Sequence, residues 1–159
     1  MLLITTEMDF NHKEHDEVLF LGEWCISYNK KPTFDKSKFF ILPDPWSDEK
    51  NKYEAYIYTQ SLYNKAIKSV SKNLNSIHNV NHSVSYWKIL CGPWLKLLIN
   101  SSYHSWDLIS SANKDYKELT TFQITNSLLD LVPTDMGDFE FLAIMDDWKS
   151  ILNYSIIKE

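Results

Sequence analysis

Apolar residues in the first third of the chain come in short runs, at residues 2–6, 18–22 and 39–42. The run at 18–22 is continuous rather than alternating. Continuous hydrophobicity is typical of a strand that is covered on both faces, as in a parallel sheet with helices above and below. We therefore predict three short strands in a mostly parallel sheet, with polar connections at residues 11–16 and 28–38.

The rest of the chain has apolar residues at three-to-four spacing, which predicts helices. Ser47 or Asp48 can cap a helix over residues 49–77. The later elements expected are a helix over 93–112, a short strand over 119–124, a short helix over 126–131, and a last helix over 138–157 capped at residues 134–135. We expect the following side chains to be buried: Tyr53, Tyr56, Ile57, Tyr63, Ile67, Val70, Leu74, Ile77, Trp94, Leu98, Tyr103, Trp106, Ile109, Phe139, Leu142, Trp148, Leu152 and Ile156.

The segment at residues 83–95 combines large aromatic side chains, a helical pattern and a Gly92-Pro93 break. Pro93 cannot donate to the carbonyl one turn back. The helix therefore either kinks there or ends near Cys91 and restarts with Pro93 in its first turn. The freed backbone groups need partners. Two interpretations follow: a buried kink whose backbone groups bond to side chains, or a helix end directed at a ligand. The residue types favour the buried kink.

Composition is that of a globular protein: 159 residues, 44% of them hydrophobic. This length predicts a single domain over residues 1–159. We expect no transmembrane segment, because no apolar run is long enough to cross a bilayer. The first residues have no basic leader and no small-residue cleavage site, so a cytoplasmic location is expected. Cys25 and Cys91 are too few to predict a disulfide scaffold.

Charge narrows the set of possible ligands. All 16 basic residues are lysines, and the net charge is -5. Without arginine, a bound anion depends on lysine, backbone amides or helix N-termini. The net charge and the lack of a basic cluster disfavour nucleic-acid binding. Three glycines are too few for a glycine-rich phosphate loop, and the pair His78 and His82 has no evident third ligand. We expect no metal and no cofactor.

Glu23 is the candidate catalytic carboxylate because it follows the run at 18–22. In open α/β folds, ligands bind beyond the carboxyl ends of such strands. Glu23 is either a general base or acceptor for a hydroxylated substrate, or a structural glutamate at a strand end. Trp24 can stack on a sugar or base, although an aromatic residue there is more often core. His82 can donate to a substrate hydroxyl or phosphate, and Cys25 is a weaker candidate as nucleophile.

Six motifs follow one another along the chain, at residues 20–25, 45–49, 74–78, 82–95, 104–106 and 146–148. In this order they resemble the N-terminal region of a family of bacterial transferases found among surface-polysaccharide and sugar-modification genes. The pattern of that family reads LFLGEWC, PWDDR, LNxIH, HSxRYWRIxLGPWL and DRW, followed by a DxWN region. The resemblance covers most of the chain, and tryptophan-rich motifs are specific.

This resemblance implies a helix-rich, Rossmann-like N-terminal lobe with a short, mostly parallel sheet, equivalent to half of a two-lobed glycosyltransferase. It implies a nucleotide-sugar donor, a saccharide acceptor and a role in surface-polysaccharide biosynthesis. The chain would be the acceptor-side lobe, incomplete alone, with a second chain or self-association as possible partners. Glu23 would be catalytic, and the implied substrate-binding residues are Trp24, His82, Ser83, Tyr86, Trp87, Lys88 and Trp94.

The chain departs from the family pattern at its arginine positions. Ser85 and Lys88 stand where the central motif of the family has arginine. His104-Ser105-Trp106 replaces DRW, and Glu49 stands at the arginine position of DDR. These replacements cannot reproduce bidentate capture of phosphate or carboxylate. The alternative interpretation is therefore a non-catalytic, truncated or degenerate module that binds a partner chain.

Overall fold

The computed structural model describes residues 1–7, 17–27, 37–124 and 132–159. It is a helix-rich α/β protein with a short parallel sheet. The elements are β1 (Leu2–Ile4), β2 (Val18–Phe20), β3 (Phe39–Ile41), α1 (Glu49–His78), α2 (Val84–Asp115), α3 (Met136–Leu142) and α4 (Asp146–Lys158), with 3-10 turns at Glu23–Cys25 and Pro45–Ser47. The helix expected over 126–131, the connection expected over 11–16 and residues 28–36 of the connection expected over 28–38 lie outside the described residues.

The chain forms two compact units. The sheet unit comprises Met1–Pro45 and Ser105–Glu159, and the hairpin unit comprises Trp46–His104. Helix α2 contributes its residues 84–104 to the hairpin unit and its residues 105–115 to the sheet unit.

The sheet has the order β1-β2-β3, and both strand pairs are parallel. Leu3 pairs with Leu19, which in turn pairs with Phe40. Every residue of β1 and β2 is buried, whereas β3 is only partly buried. The three predicted strands and their parallel arrangement are thus confirmed. The continuous apolar runs of β1 and β2 reflect burial on both faces.

Helices α2 and α4 complete the core of the sheet unit. Leu108, Ile109 and Ala112 of α2 belong to the same buried cluster as the strands, and Ile156 and Ile157 of α4 pack against it. Burying one large aliphatic side chain contributes about 1.5–3 kcal/mol, so this cluster is the main source of stability in the unit. A buried hydrogen bond of 2.7 Å between the Thr6 and Ser150 hydroxyls joins the end of β1 to α4.

The segment after α2 makes less sheet than expected. In the segment 119–124, Thr120 forms an isolated parallel bridge with Leu2. The Leu3 amide donates to the Thr120 carbonyl at 2.7 Å, and the Thr120 amide donates to the Met1 carbonyl at 3.1 Å. The predicted strand is therefore reduced to one bridging residue beside β1.

The last predicted helix is divided in two. Asp135 caps α3 as expected, because its carboxylate accepts from the Asp138 amide at 2.9 Å. The chain then leaves the helical conformation, and Met145 is extended at the start of α4. Asp146 and Asp147 occupy the first turn of α4, where acidic side chains are favourable. They thus favour a new helix start where periodicity alone predicts continuation.

In the hairpin unit, α2 runs back along α1. Tyr58 contacts Tyr103 at 4.9 Å between ring centroids, and the Tyr63 hydroxyl lies against Gly92. A Cβ at Gly92 would be 2.7 Å from that hydroxyl oxygen. The close approach therefore favours glycine there.

Both ends of α1 have the expected kind of signal. The Asp48 carboxylate accepts from the Asn51 amide at 2.9 Å, which confirms the predicted cap. At the other end, Asn79 is left-handed (φ 51°). The Val80 amide donates to the Asn75 carbonyl at 3.0 Å, which gives a Schellman-type ending.

Helix α2 continues through Pro93. The alternative in which one helix ends near Cys91 and another begins at Pro93 is therefore wrong. A proline inside a helix removes one backbone hydrogen bond, and the periodic apolar positions on both sides of it still favour one helix.

The prediction that an aromatic and aliphatic stripe of α1 is core is wrong for four of its eight members, and three others are only partly buried. Tyr53, Tyr56, Ile57 and Ile77 are exposed, and of the stripe only Ile67 is buried. The other buried residues of α1 are Ala55, Thr59 and Ser71. These side chains are small, and helices approach each other closely where side chains are small. Trp106 of α2, also expected inward, is exposed.

The turn after β2 is shaped by Gly22 and Trp24. Gly22 is extended (φ -176°), a conformation that any residue adopts, so its backbone does not require glycine. However, a Cβ on Gly22 would overlap the six-membered ring of Trp24. The indole therefore folds back over the Gly22 Cα, and the space beneath this ring favours glycine.

We expect Gly22→Ala to lower the free energy of unfolding by about 1–3 kcal/mol, because the new methyl group displaces the Trp24 ring. The same substitution in a Trp24→Ala background should cost much less. Chemical denaturation of the four variants of this double-mutant cycle measures the coupling. An equal cost in both backgrounds would contradict the steric explanation.

Candidate functional site

The side chain of Asn75, in the last turn of α1, connects that helix to the start of α2. Its Oδ1 accepts from the His82 amide at 3.0 Å and from Trp87 Nε1 at 2.9 Å. Its Nδ2 donates to the His82 carbonyl at 2.9 Å. One amide group thus fixes both the connection between the helices and the orientation of the Trp87 ring.

Four rings gather around this amide, and we call them the aromatic cluster: His78, His82, Tyr86 and Trp87. His82 stacks on Tyr86 with ring centroids 4.0 Å apart. Tyr86 and Trp87 meet edge to face at 5.2 Å, and His78 stacks on Trp87 at 6.3 Å. These are the offset and edge-on arrangements that aromatic rings prefer.

Burial divides the cluster into a base and a surface. Trp87 is 8% exposed, whereas Tyr86 is 41% exposed and His82 is also exposed. The buried indole and the Asn75 amide therefore hold a pair of stacked rings that faces solvent. Such a preorganised surface can bind a ring-shaped ligand without ordering its own side chains.

The N-terminus of α2 lies within this cluster. Ser83 accepts with its hydroxyl from the Tyr86 amide at 3.2 Å and with its carbonyl from the Trp87 amide at 3.3 Å. Ser83 is therefore the helix cap. It shares the segment with the exposed rings of His82 and Tyr86, so hydroxyl, imidazole and phenol groups are presented together.

Lys88 and Trp94 follow the cluster along α2. Lys88 is exposed, and Trp94 is half-buried, two turns beyond Trp87. Between them, Cys91 donates its thiol to the Trp87 carbonyl at 3.0 Å. Partial burial raises the pKa of the Cys91 thiol above its ordinary value, which reduces its thiolate fraction at neutral pH.

Glu23 and Trp24 belong to the sheet unit, in the 3-10 turn directly after β2. Both are exposed, while the adjacent Cys25 is fully buried and donates its thiol to the Ile4 carbonyl at 3.5 Å. The sequence-based position of Glu23, beyond the carboxyl end of a parallel strand, is confirmed. Its catalytic role stays a prediction.

Thus the hairpin unit brings together His82, Ser83, Tyr86 and Trp87 of the predicted site. Sequence reasoning missed Asn75 as the residue that organises them. The signal was present in the motif at residues 74–78, where an asparagine lies one turn before a helix end. Short polar side chains near helix ends often bond to backbone groups of the following turn.

The sheet unit also contains a cavity of about 220 Å³ between the start of β1, α2 and α4. Ser110, Asn113 and Thr121 supply polar groups beside apolar walls from Leu3 and Ile156. Among the described residues, no group of three or more His, Cys, Asp or Glu could hold a metal ion. The described helices also include none that is long and apolar enough to cross a membrane.

We expect Asn75→Ala to lower the free energy of unfolding by about 1–3 kcal/mol, because it leaves the buried Trp87 indole N–H without its partner. The near-ultraviolet circular dichroism of the tryptophans should change with it. Asn64→Ala, at an exposed position of the same helix, is the matched control and should stay within about 0.5 kcal/mol. Equal effects of the two substitutions would contradict the role given to Asn75.

Comparison with known proteins places these features in a family. The sequence profile of the LIC12162 family transferases matches residues 1–159, the full length of the chain. Searches with this chain found no matching curated protein and no matching solved structure. With a match over its full length, this chain belongs to the LIC12162 family of transferases.

Proposed function

We propose that this chain is the acceptor-side part of a glycosyltransferase-like enzyme in bacterial surface-polysaccharide biosynthesis. Residues 1–159 form one Rossmann-like lobe in this proposal, which is incomplete as a catalyst and works in the cytoplasm. The donor is a nucleotide sugar held by a second lobe or chain, and the acceptor is a saccharide. The observation that carries the proposal is the exposed His82–Tyr86 stack held by Asn75 and Trp87.

The chemistry of this stack suits a sugar. The faces of aromatic rings are electron-rich and attract the C–H groups on the flat side of a pyranose. Specificity in small-molecule sites comes from a few polar groups placed beside such apolar surface. Here the imidazole of His82, the Tyr86 hydroxyl and the Ser83 hydroxyl are those groups, with Lys88 available for a phosphate or sugar acid.

The sheet unit supports the transfer chemistry in a separate way. Its strands are parallel, and Glu23 with Trp24 follows the carboxyl end of β2, where α/β enzymes bind their ligands. As general base, the Glu23 carboxylate takes the proton of an acceptor hydroxyl. The hydroxyl oxygen then forms the bond to the anomeric carbon while the nucleotide leaves. The exposure of Glu23 leaves the carboxylate accessible to such an acceptor.

A second candidate function is a non-catalytic module that binds saccharide or a partner chain. The observation that favours it is the complete absence of arginine. Charge development on a departing nucleotide is usually stabilised by arginine, lysine or a metal ion. The aromatic cluster does not depend on arginine, so binding can persist in a chain that no longer supports transfer.

We expect Tyr86→Ala to weaken saccharide binding about tenfold, because it removes the exposed ring of the stack. Titration of tryptophan fluorescence with mono- and oligosaccharides measures the change, with Trp87 as reporter. Tyr53→Ala removes a tyrosine that is 65% exposed elsewhere on the hairpin unit and should leave binding unchanged. If saccharide binding is absent, or equally sensitive to both substitutions, the His82–Tyr86 stack is not a sugar-binding surface.

We expect Glu23→Gln to reduce transfer about 10²–10⁴-fold while saccharide binding is retained. The assay follows a labelled sugar from a nucleotide donor to extracted envelope saccharides in lysates that contain this chain. Glu17→Gln changes an exposed carboxylate just before β2 and should have no effect. Full activity of Glu23→Gln would remove the base assignment, and saccharide binding without any wild-type transfer would favour the non-catalytic module.

A further inference from the structure

Acidic residues are unevenly distributed along the chain, which the net charge of -5 does not show. Residues 55–104 contain no aspartate or glutamate, although the whole chain has 21 acidic residues. The same segment contains three histidines and five lysines: Lys65, Lys68, Lys72, Lys88 and Lys96. All five lysines are exposed. Between residues 55 and 104, the two long helices therefore carry only positive charges, in a protein that is acidic overall.

Exposed aliphatic side chains concentrate at one end of the hairpin unit. We define the hairpin tip as residues 72–90, the last turns of α1, the connection and the first turns of α2. Ile77 is 73% exposed and Ile89 is 79% exposed. The other exposed aliphatic residues of the tip are Val80, Val84 and Leu90. Side chains of this size are costly to leave in water, so their grouping indicates a surface that something covers.

The connection that carries these residues is held in place. Asn75 bonds to both backbone groups of His82, and Asn79 closes α1 in the left-handed conformation. The apolar side chains of the tip are therefore presented by a fixed turn. A partner meets a preorganised surface and does not have to order it.

From this combination we propose that the hairpin tip binds the surface of an anionic lipid bilayer. Aliphatic side chains enter the boundary between headgroups and acyl chains, lysines attract anionic headgroups, and aromatic rings such as Tyr86 lie at the interface. Lysine suits a diffuse anionic surface, because it is a flexible point charge and needs no bidentate partner. This inference goes beyond the proposed saccharide site. The two surfaces share Tyr86, so the test changes Ile77 and Ile89, which lie outside the His82–Tyr86 stack.

Other occupants fit the charges and side chains less well. A second copy of the chain would bring two positive tips together, which like-charge repulsion opposes. A soluble polyanion would satisfy the lysines but would leave the exposed isoleucines in water. The bilayer surface satisfies both sets of side chains.

The experiment is sedimentation of the full chain with phosphatidylcholine vesicles, with and without phosphatidylglycerol. We expect binding at least tenfold stronger to the anionic vesicles and weakened by salt. Ile77→Asn with Ile89→Asn should reduce this binding at least tenfold. The matched control is Ile144→Asn, because Ile144 is 68% exposed in the sheet unit, and it should leave binding unchanged.

A charge series completes the test. Lys68→Gln with Lys72→Gln should reduce binding to anionic vesicles several-fold, whereas Lys114→Gln with Lys117→Gln, at exposed positions of the sheet unit, should not. Circular dichroism establishes that each variant is folded. The proposal is overturned if the chain ignores both vesicle types, or if the isoleucine pair has no more effect than Ile144→Asn. It is also overturned if light scattering shows dimers that the isoleucine pair dissociates.

Discussion

The amide of Asn75 is the interaction on which the hairpin unit depends. It holds both backbone groups of His82 and the indole N–H of Trp87, so a single side chain satisfies three polar groups between two helices. A backbone group or indole N–H left without a partner costs more than a hydrogen bond gains. The turn, the aromatic stack and the position of the exposed isoleucines all follow from this arrangement.

The two units differ in which side chains they bury and which they expose. The sheet unit is stabilised by burial of β1 and β2 on both faces, and it presents Glu23 and Trp24 where β2 ends. The hairpin unit has small buried side chains on α1 and large exposed ones around its connection. It therefore exposes large side chains, whereas β1 and β2 of the sheet unit bury theirs.

Local signals predicted the elements well. The first three strands, the Asp48 and Asp135 caps and the long first helix follow from short-range chemistry, and each was confirmed. Signals that depend on neighbours were less reliable. The tyrosine stripe of α1 has helical period, yet period does not reveal whether a neighbour covers it. At Asp146, the acidic first turn of α4 prevails over the helical period that predicts one continuous helix. At Pro93, the helical period of α2 prevails over the proline.

Of the candidate site, the sequence by itself determined the residue types: an aromatic and histidine-rich segment, a glutamate after a buried strand, and lysine as the sole basic residue. Tertiary structure decided that His82 stacks on Tyr86, that Trp87 forms the base beneath them, and that Asn75 joins them. It also decided which apolar residues stay exposed. The physical reason is that periodicity and capping act within one turn of backbone, whereas burial and ring contacts require the opposing helix to be in place.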